Sequence, residues 1–283
     1  MMKNRWDLGI IENLKLKIER GIQMDIIVCV KNVPDVEEAD LKISDKGTDI
    51  DKENLVFGIN DWDNYAIEEA VVLKEKHGGT VTAITVGNED DEDVLRRCLA
   101  MGADRAIRID VDDMSRFDSL GISRLLSRVV RDLPFDLVFT GVLADDDYYG
   151  MVGMMMAEEL GINHANMVTA IEIEDGAART TSELEGGLSE VSLIELPALL
   201  TIQTGINEPR YVSILGIRKA AKKELKTMDL ADLGISDEEL SPRTIIEEVY
   251  LPPETEGAQM LSGDPDKIAS DFVEILTKKG VME

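Results

Sequence analysis

Between Met24 and Gly161, short runs rich in valine and isoleucine alternate with longer segments of helical periodicity. The runs Asp25–Lys31, Thr80–Val86 and Asp136–Gly141 are largely apolar along their whole length, which is typical of parallel strands buried on both faces. Helical crossovers between such strands cover both faces of the sheet. The pattern therefore predicts a doubly wound α/β fold with a mostly parallel sheet.

The remaining elements are predicted from the same two periodicities. Helices are expected at 60–76, 89–101, 117–132 and from the 144–149 loop through Leu160, with a short strand at Arg105–Ile109. Past residue 165 the helical pattern stops, and strand-like segments follow at 166–173, 178–184, 190–195 and 197–203. Strands without intervening helices indicate antiparallel additions to the sheet.

The chain after residue 206 has a different character. From about 207 to 263 it is polar and contains prolines, with little periodicity. Irregular segments of this length are uncommon inside a compact domain. We therefore predict an extended C-terminal arm that packs on another surface and ends in an amphipathic helix at 265–279. The expected organisation is an α/β domain at 24–206 followed by a separate region at 207–283.

Residues 1–23 precede the first predicted strand as an N-terminal extension. Segment 5–22 has the pattern of a marginal amphipathic helix, and it lacks the apolar core and cleavage site of a signal peptide. We hypothesise that Met24 is the native start. A natural N-terminus at Met1 or Met2 would contradict this.

The composition argues against several classes of function. The formal net charge is -27, and such a surface repels nucleic acid and anionic lipid. No apolar run reaches the roughly 18 residues of a membrane span, so a cytosolic protein is expected. The two cysteines, Cys29 and Cys98, form no CxxC pair, and the two histidines lie far apart. A disulfide scaffold, an iron–sulfur site and a metal site are therefore not expected.

Ligands of open α/β sheets bind beyond the carboxyl ends of the strands. Among the loops at 32–35, 58–62, 87–88 and 141–153, the last joins a strand to a helix whose start contains two glycines. Free N–H groups there, together with the helix dipole, suit a phosphate. The adjacent Asp145–Asp147 would oppose a phosphate if it faced inward, or would cap the helix and face water. The chain has neither a GxGxxG nor a Walker A motif.

Several segments together resemble the β subunit of electron-transfer flavoproteins, the β/FixA family. The resemblance is collinear from Met24 to the C-terminus and includes a segment that runs from Leu-Pro-Ala through Asn-Glu-Pro-Arg-Tyr to a basic stretch. The segments that carry it are 28–31, Asn60 with 65–70, 100–105, 183–187 and 196–223.

The resemblance implies a heterodimer with an α subunit that carries the redox-active FAD. The β subunit would bind a nucleotide of its own, AMP in ordinary carriers or a second FAD in electron-bifurcating members. The implied nucleotide-binding residues are Cys29, Val30, Asn60, Val86, Gly87, Gly141, Asp146, Gly150, Met151, Val152 and Gly153. The loop departs from the family pattern where Tyr148 replaces an aspartate and Met151 replaces a glutamine. This departure leaves the identity of the nucleotide open.

The resemblance also implies that the loop at 207–219 docks on partner dehydrogenases. Ile214 would be the aliphatic anchor, with Leu215 beside it. Six cations and one acid lie between 210 and 226 in an otherwise acidic chain, which suits docking on a complementary surface. The cations assigned to docking are Arg210, Arg218 and Lys219. Alternatively, the loop packs internally or on the α subunit.

No nucleophile–base pair or isolated carboxylate dyad is evident, so the chemistry would belong to a flavin. The resemblance implies a carrier subunit that is not catalytic alone. Electrons would pass from a flavin dehydrogenase, such as an acyl-CoA dehydrogenase, to the α-subunit FAD and then to a quinone reductase or another acceptor. Two alternatives remain: an electron-bifurcating subunit that oxidises NADH at its own FAD, and a nucleotide-binding regulator similar to universal stress proteins.

Overall fold

The computed structural model describes residues 23–36, 39, 41–253 and 257–282. These residues form two compact units. The larger unit contains the described residues up to Lys42 together with Asp51–Glu247, and the smaller contains Ile43–Ile50 and the described residues from Glu248 onward. The helix hypothesised at 5–22 lies outside the described residues.

The larger unit is built on a nine-stranded sheet and a separate two-stranded sheet. The smaller sheet pairs β2 with β3 in antiparallel orientation. The larger sheet has the strand order β11-β5-β4-β1-β6-β10-β7-β8-β9. The strands are β1 (Met24–Cys29), β2 (Asn32–Asp35), β3 (Val56–Ile59), β4 (Gly79–Gly87), β5 (Arg105–Asp110), β6 (Leu137–Gly141), β7 (Asn163–Glu174), β8 (Ala177–Leu184), β9 (Leu188–Glu195), β10 (Ala198–Ile202) and β11 (Glu224–Asp229).

The helices of the larger unit cover both faces of this sheet. They are α1 (Asp61–His77), α2 (Glu92–Met101), α3 (Ser119–Val130), α4 (Val152–Leu160), α5 (Ile214–Ala220), α6 (Leu230–Leu233) and α7 (Asp237–Leu240). Single 3₁₀ turns occur at Glu89–Asp91, Met114–Arg116 and Glu185–Gly187. Among the described residues, no helix is both long enough and apolar enough to cross a membrane.

The central strands are buried on both faces, as their sequences predict. In β1, Ile26 and Val28 join the core beneath α1 and α2, whereas Ile27 and Cys29 join the core beneath α3 and α4. The seven strands from β11 to β7 are mutually parallel, and β8 and β9 add antiparallel pairs. The doubly wound, mostly parallel fold with antiparallel additions is confirmed.

Some elements differ from the sequence prediction. Strand β10 is not part of the antiparallel addition, because it inserts between β6 and β7 and runs parallel to both. Strand β7 was also expected to be antiparallel, but it is parallel to β10 and antiparallel only to β8. The β2–β3 pair was not predicted. Within the stretch predicted to be irregular, β11 pairs along its whole length with β5, and α5 precedes it.

The smaller unit contains a short turn and the last helix. Ile43 and Ile50 form an antiparallel bridge, and the Val249 N–H donates to the Gly47 carbonyl at 2.8 Å. The predicted terminal helix is present as α8 (Pro265–Lys278). It begins with Asp264, whose side chain accepts the Lys267 N–H, and with proline in its first turn, both of which favour helix initiation.

Candidate functional site

The carboxyl ends of β1 and β6 meet around one buried carboxylate. Asp63, in the first turn of α1, is 5% exposed. Its carboxylate accepts the Lys31 N–H at 2.8 Å and the Gly141 N–H at 2.9 Å. Asp63 was not identified from the sequence. Its carboxylate joins the chain at the ends of β1 and β6 to the start of α1.

Burial raises the pKa of Asp63 from 3.8 to about 7, and the two backbone N–H groups oppose that rise. The folded protein therefore binds this proton more tightly than the unfolded chain does. The stabilising contribution of the protonated carboxyl is fully present below pH 3.8 and declines as pH rises to about 7.

We therefore expect Asp63→Asn to change the pH dependence of stability, because an amide does not titrate. The free energy of unfolding of the variant, relative to that of the wild type, should rise between about pH 4 and pH 7. Urea unfolding at several pH values measures this difference. A difference that stays constant with pH would contradict the assigned titration.

Asn60 fixes the long loop that follows β6. Its side-chain amide donates to the Leu143 carbonyl at 2.8 Å and accepts the Asp145 N–H at 3.0 Å. Its own N–H donates to the Lys31 carbonyl at 3.0 Å. Asn60 is 1% exposed, so both ends of its amide form buried contacts that hold the loop against the end of β1.

The three aspartates of this loop have partners within the chain. Asp145 accepts the Asp61 N–H at 3.2 Å, at the start of α1. Asp146 and Asp147 form ion pairs with Lys31 at 2.5 and 2.8 Å. Their charge is therefore partly compensated by groups that the sequence analysis did not connect with them.

The glycines of the loop permit close packing. A Cβ atom on Gly153 would lie 2.6 Å from Thr140 Oγ1 and 2.8 Å from Thr201 Cγ2, so α4 begins in direct contact with β6 and β10. Gly150 has a φ of 61°, and a Cβ atom there would lie 2.8 Å from a methyl group of Leu143. Only glycine suits this combination of conformation and space.

The start of α4 has unsatisfied backbone donors. Its N-cap residue is Met151, and no side chain among the described residues caps it. The first N–H groups of a helix have no partner within the helix, so those following Met151 are available to a ligand. The helix start thus supplies main-chain donors, where Gly150 and Gly153 leave no side chain in the way.

The other residues expected at the nucleotide site line the neighbouring strand ends. Cys29 is buried, and burial together with the Asp63 carboxylate raises the pKa of its thiol well above the usual range. Val30 donates its N–H to the Ile84 carbonyl and accepts the Thr85 hydroxyl. Both residues lie beside the site. The Cys29 thiol is buried, and the backbone N–H and carbonyl of Val30 already form hydrogen bonds within the chain.

Val86 and Gly87 end β4 on the other side of β1. A Cβ atom on Gly87 would lie 1.9 Å from Asp91 Oδ2. The Gly87 carbonyl accepts the Val111 N–H and the Arg108 guanidinium, each at 3.1 Å. The ends of β1, β4 and β6 thus lie at one edge of the main sheet, whereas the predicted loop at 32–35 forms β2 and the one at 58–62 begins in β3, both strands of the separate two-stranded sheet.

The second half of the predicted docking segment forms most of α5 and presents apolar side chains. Ile214 is 73% exposed and Leu215 is 61% exposed, at the start of the helix. Arg218 and Lys219 are exposed in its last turn and form no ion pair with any described residue. The helix therefore combines an exposed aliphatic pair with free positive charge.

Arg210 differs from these cations because its partners lie within the chain. Its guanidinium contacts Glu68 Oε2 at 2.9 Å and Glu75 Oε1 at 2.7 Å. Glu68 is 4% exposed, so its carboxylate depends on this partner. These contacts attach the base of the docking segment to α1.

We expect Arg210→Met to destabilise the fold, because it leaves the buried Glu68 carboxylate without its cation. Arg210 is about one-third exposed, so we expect a loss of about 1.5–3 kcal/mol in the free energy of unfolding. Urea unfolding measures the loss. Arg210→Met combined with Glu68→Gln should recover part of it, and an undiminished stability of Arg210→Met would contradict the assignment.

Comparison with known proteins identifies relatives over most of the chain. Residues 49–233 match the family model described as the electron transfer flavoprotein domain. The electron transfer flavoprotein subunit beta of Bacillus subtilis is 40% identical, over 89% of this chain and 97% of the relative. Protein FixA of Azotobacter vinelandii is 34% identical, over 87% and 92%. The caffeyl-CoA reductase-Etf complex subunit CarD of Acetobacterium woodii is 32% identical, over 92% and 100%.

Proposed function

The chain belongs to the electron transfer flavoprotein family as a β subunit that acts in electron transfer, and from this premise we propose that it binds AMP beside a flavin held by its α subunit. An α-subunit partner follows from the family. FAD in that partner would supply the redox chemistry. The β subunit would bind, orient and shield, and it would be inactive alone.

The observation that carries the nucleotide proposal is the uncapped start of α4 at the carboxyl edge of the sheet. A phosphate is an anion that such N–H groups and the helix dipole stabilise. The close approach of Gly153 to β6 and β10 and the left-handed Gly150 fix the helix start against the edge of the sheet, where its N–H groups would face the phosphate. Asn60, Val86, Gly87 and Gly141 would border the rest of the nucleotide.

We further propose that α5 docks on flavin dehydrogenases, such as acyl-CoA dehydrogenases. Ile214 and Leu215 would enter an apolar pocket, while Arg218 and Lys219 would face acidic groups at its rim. Arg210 would position this surface through its contacts with α1 rather than contact the partner itself. The electrons would leave to a quinone reductase or a similar acceptor.

Isolation of the chain from its natural host tests this proposal. We expect one companion polypeptide and one FAD per pair, together with AMP. Two FAD molecules per pair without AMP would instead favour an electron-bifurcating complex in which this chain holds the second flavin. A chain isolated without a companion and without flavin would contradict the proposal.

A further inference from the structure

Lys31 is the second residue after β1, and its backbone is held at two points. Its N–H donates to the Asp63 carboxylate at 2.8 Å, and its carbonyl accepts the Asn60 N–H at 3.0 Å. The side chain extends from this fixed base to the loop after β6 and is 37% exposed. The ammonium group therefore has a defined position and is reachable by a ligand.

The ammonium group has one donor more than its partners in the chain require. A lysine ammonium carries three N–H donors. One contacts Asp146 Oδ1 at 2.5 Å and another contacts Asp147 Oδ2 at 2.8 Å. In the part of the chain that the structure describes, no other acceptor contacts this group.

Lys31 also offsets one of the two negative charges of Asp146 and Asp147, which would otherwise repel an anion more strongly. It is the only cation paired with Asp146 or Asp147 among the described residues. Burial lowers the pKa of Lys31, but the charges and hydrogen bonds of Asp146 and Asp147 outweigh it and raise the pKa above its ordinary value. The group therefore remains an ammonium at neutral pH.

We propose that Lys31 binds the phosphate of the nucleotide directly, donating its third N–H to a phosphate oxygen while Asp146 and Asp147 hold the other two. This inference rests on the proposed function, because it assigns a side-chain ligand to the same site. The ligand class is a nucleoside phosphate with a terminal monoester. Lys31 would make the site distinguish such a nucleotide from the bare nucleoside.

The test compares AMP with adenosine on the nucleotide-depleted complex of both subunits. Lys31→Met should weaken AMP binding by about 10- to 100-fold, the effect of losing a charge-assisted hydrogen bond. Adenosine binding should change by less than about twofold, because adenosine has no phosphate for the lysine to contact. Lys31→Arg should retain most of the preference for AMP.

A second variant separates direct contact from simple neutralisation. In Lys31→Met/Asp146→Asn/Asp147→Asn the aspartates no longer need a cation, so this variant also serves if the single substitution prevents folding. We expect its preference for AMP over adenosine to be weaker than that of Asp146→Asn/Asp147→Asn, in which Lys31 remains, because the α4 N–H groups contribute equally to both variants; equal preferences would overturn the proposal. An undiminished preference for AMP in Lys31→Met would overturn it too.

Lys226→Met is the matched control, since it removes one exposed positive charge from β11, away from the loop. It should leave both affinities unchanged, and an equal loss there would show a general charge effect and overturn the specific role of Lys31. If the wild-type complex binds neither AMP nor adenosine, the proposed nucleotide site itself fails. By contrast, if the wild-type complex binds AMP and its preference for AMP over adenosine does not depend on Lys31, only the proposed role of Lys31 fails.

Discussion

Gly153→Asp is expected to weaken AMP binding by at least about 100-fold. The added Cβ atom would lie within 2.8 Å of both Thr140 and Thr201, so α4 must move away from β6 and β10. The carboxylate would also bring a negative charge to the first turn of α4, beside the N–H groups proposed to bind the phosphate, and like charges a few ångströms apart repel by about 4 kcal/mol at the surface of a protein. The measurement is AMP content and affinity in the purified complex.

Two further variants assign this effect to the site. Gly153→Ala has the same steric overlap without the charge, so it should lose less affinity than Gly153→Asp. Gly257→Ala is the control, because Gly257 has open space for a Cβ atom. It should bind AMP as the wild type does. Undiminished AMP content in Gly153→Asp would show that the phosphate site lies elsewhere.

Ile214→Ala is expected to lower kcat/KM for electron transfer from a partner dehydrogenase by about 30-fold. Truncation of a central apolar anchor in an interface costs about 2 kcal/mol or more. Ile214 is 73% exposed and contributes little to the core, so the flavin content and thermal stability of the complex should not change. Stopped-flow reduction of the complex by the dehydrogenase measures the effect.

Ile245→Ala provides the matched control, since Ile245 is 72% exposed and lies outside α5. We expect wild-type electron transfer from this variant. Replacement of Arg218 and Lys219 with methionine should mainly slow association and weaken its dependence on salt. If Ile214→Ala leaves the rate unaltered, α5 is not the docking surface.

The central strands were predictable because their burial leaves a strong signal. Parallel strands covered on both faces must be apolar along their length, and β1, β4 and β6 follow this rule. Strand β11 has the polar sequence Glu-Leu-Lys-Thr-Met-Asp and lies at the edge of the sheet. Its pairing depends on backbone hydrogen bonds, which its side chains do not reveal.

The position of β10 could not be derived from local sequence either. Its apolar run identifies a strand, but its insertion between β6 and β7 depends on the path of the whole chain. The same limit applies to the candidate site. Asp63 contacts a residue 78 positions away, and Lys31 contacts aspartates 115 and 116 positions away. Only the folded sheet brings these charges together.

The glycines of the loop occupy places where the backbone itself imposes a requirement, whereas the Asn60 amide holds the loop, and the nucleotide contacts of these residues stay predictions. Gly153 allows the closest approach of a helix to the sheet, and Gly150 has a left-handed conformation. The sequence left two roles open for the three aspartates, whether they oppose a phosphate or cap the helix and face water. None of them caps α4, and the structure places two of them against Lys31, an arrangement in which their charge is partly compensated.

The most direct test of the nucleotide site is to quantify the adenylate released when the complex from the natural host is denatured. We expect about one AMP per β chain, separate from the FAD of the α subunit, and its loss in the Gly153→Asp variant but not in Gly257→Ala. A natural complex that releases no AMP, or AMP content that Gly153→Asp leaves intact, would contradict the proposed nucleotide site.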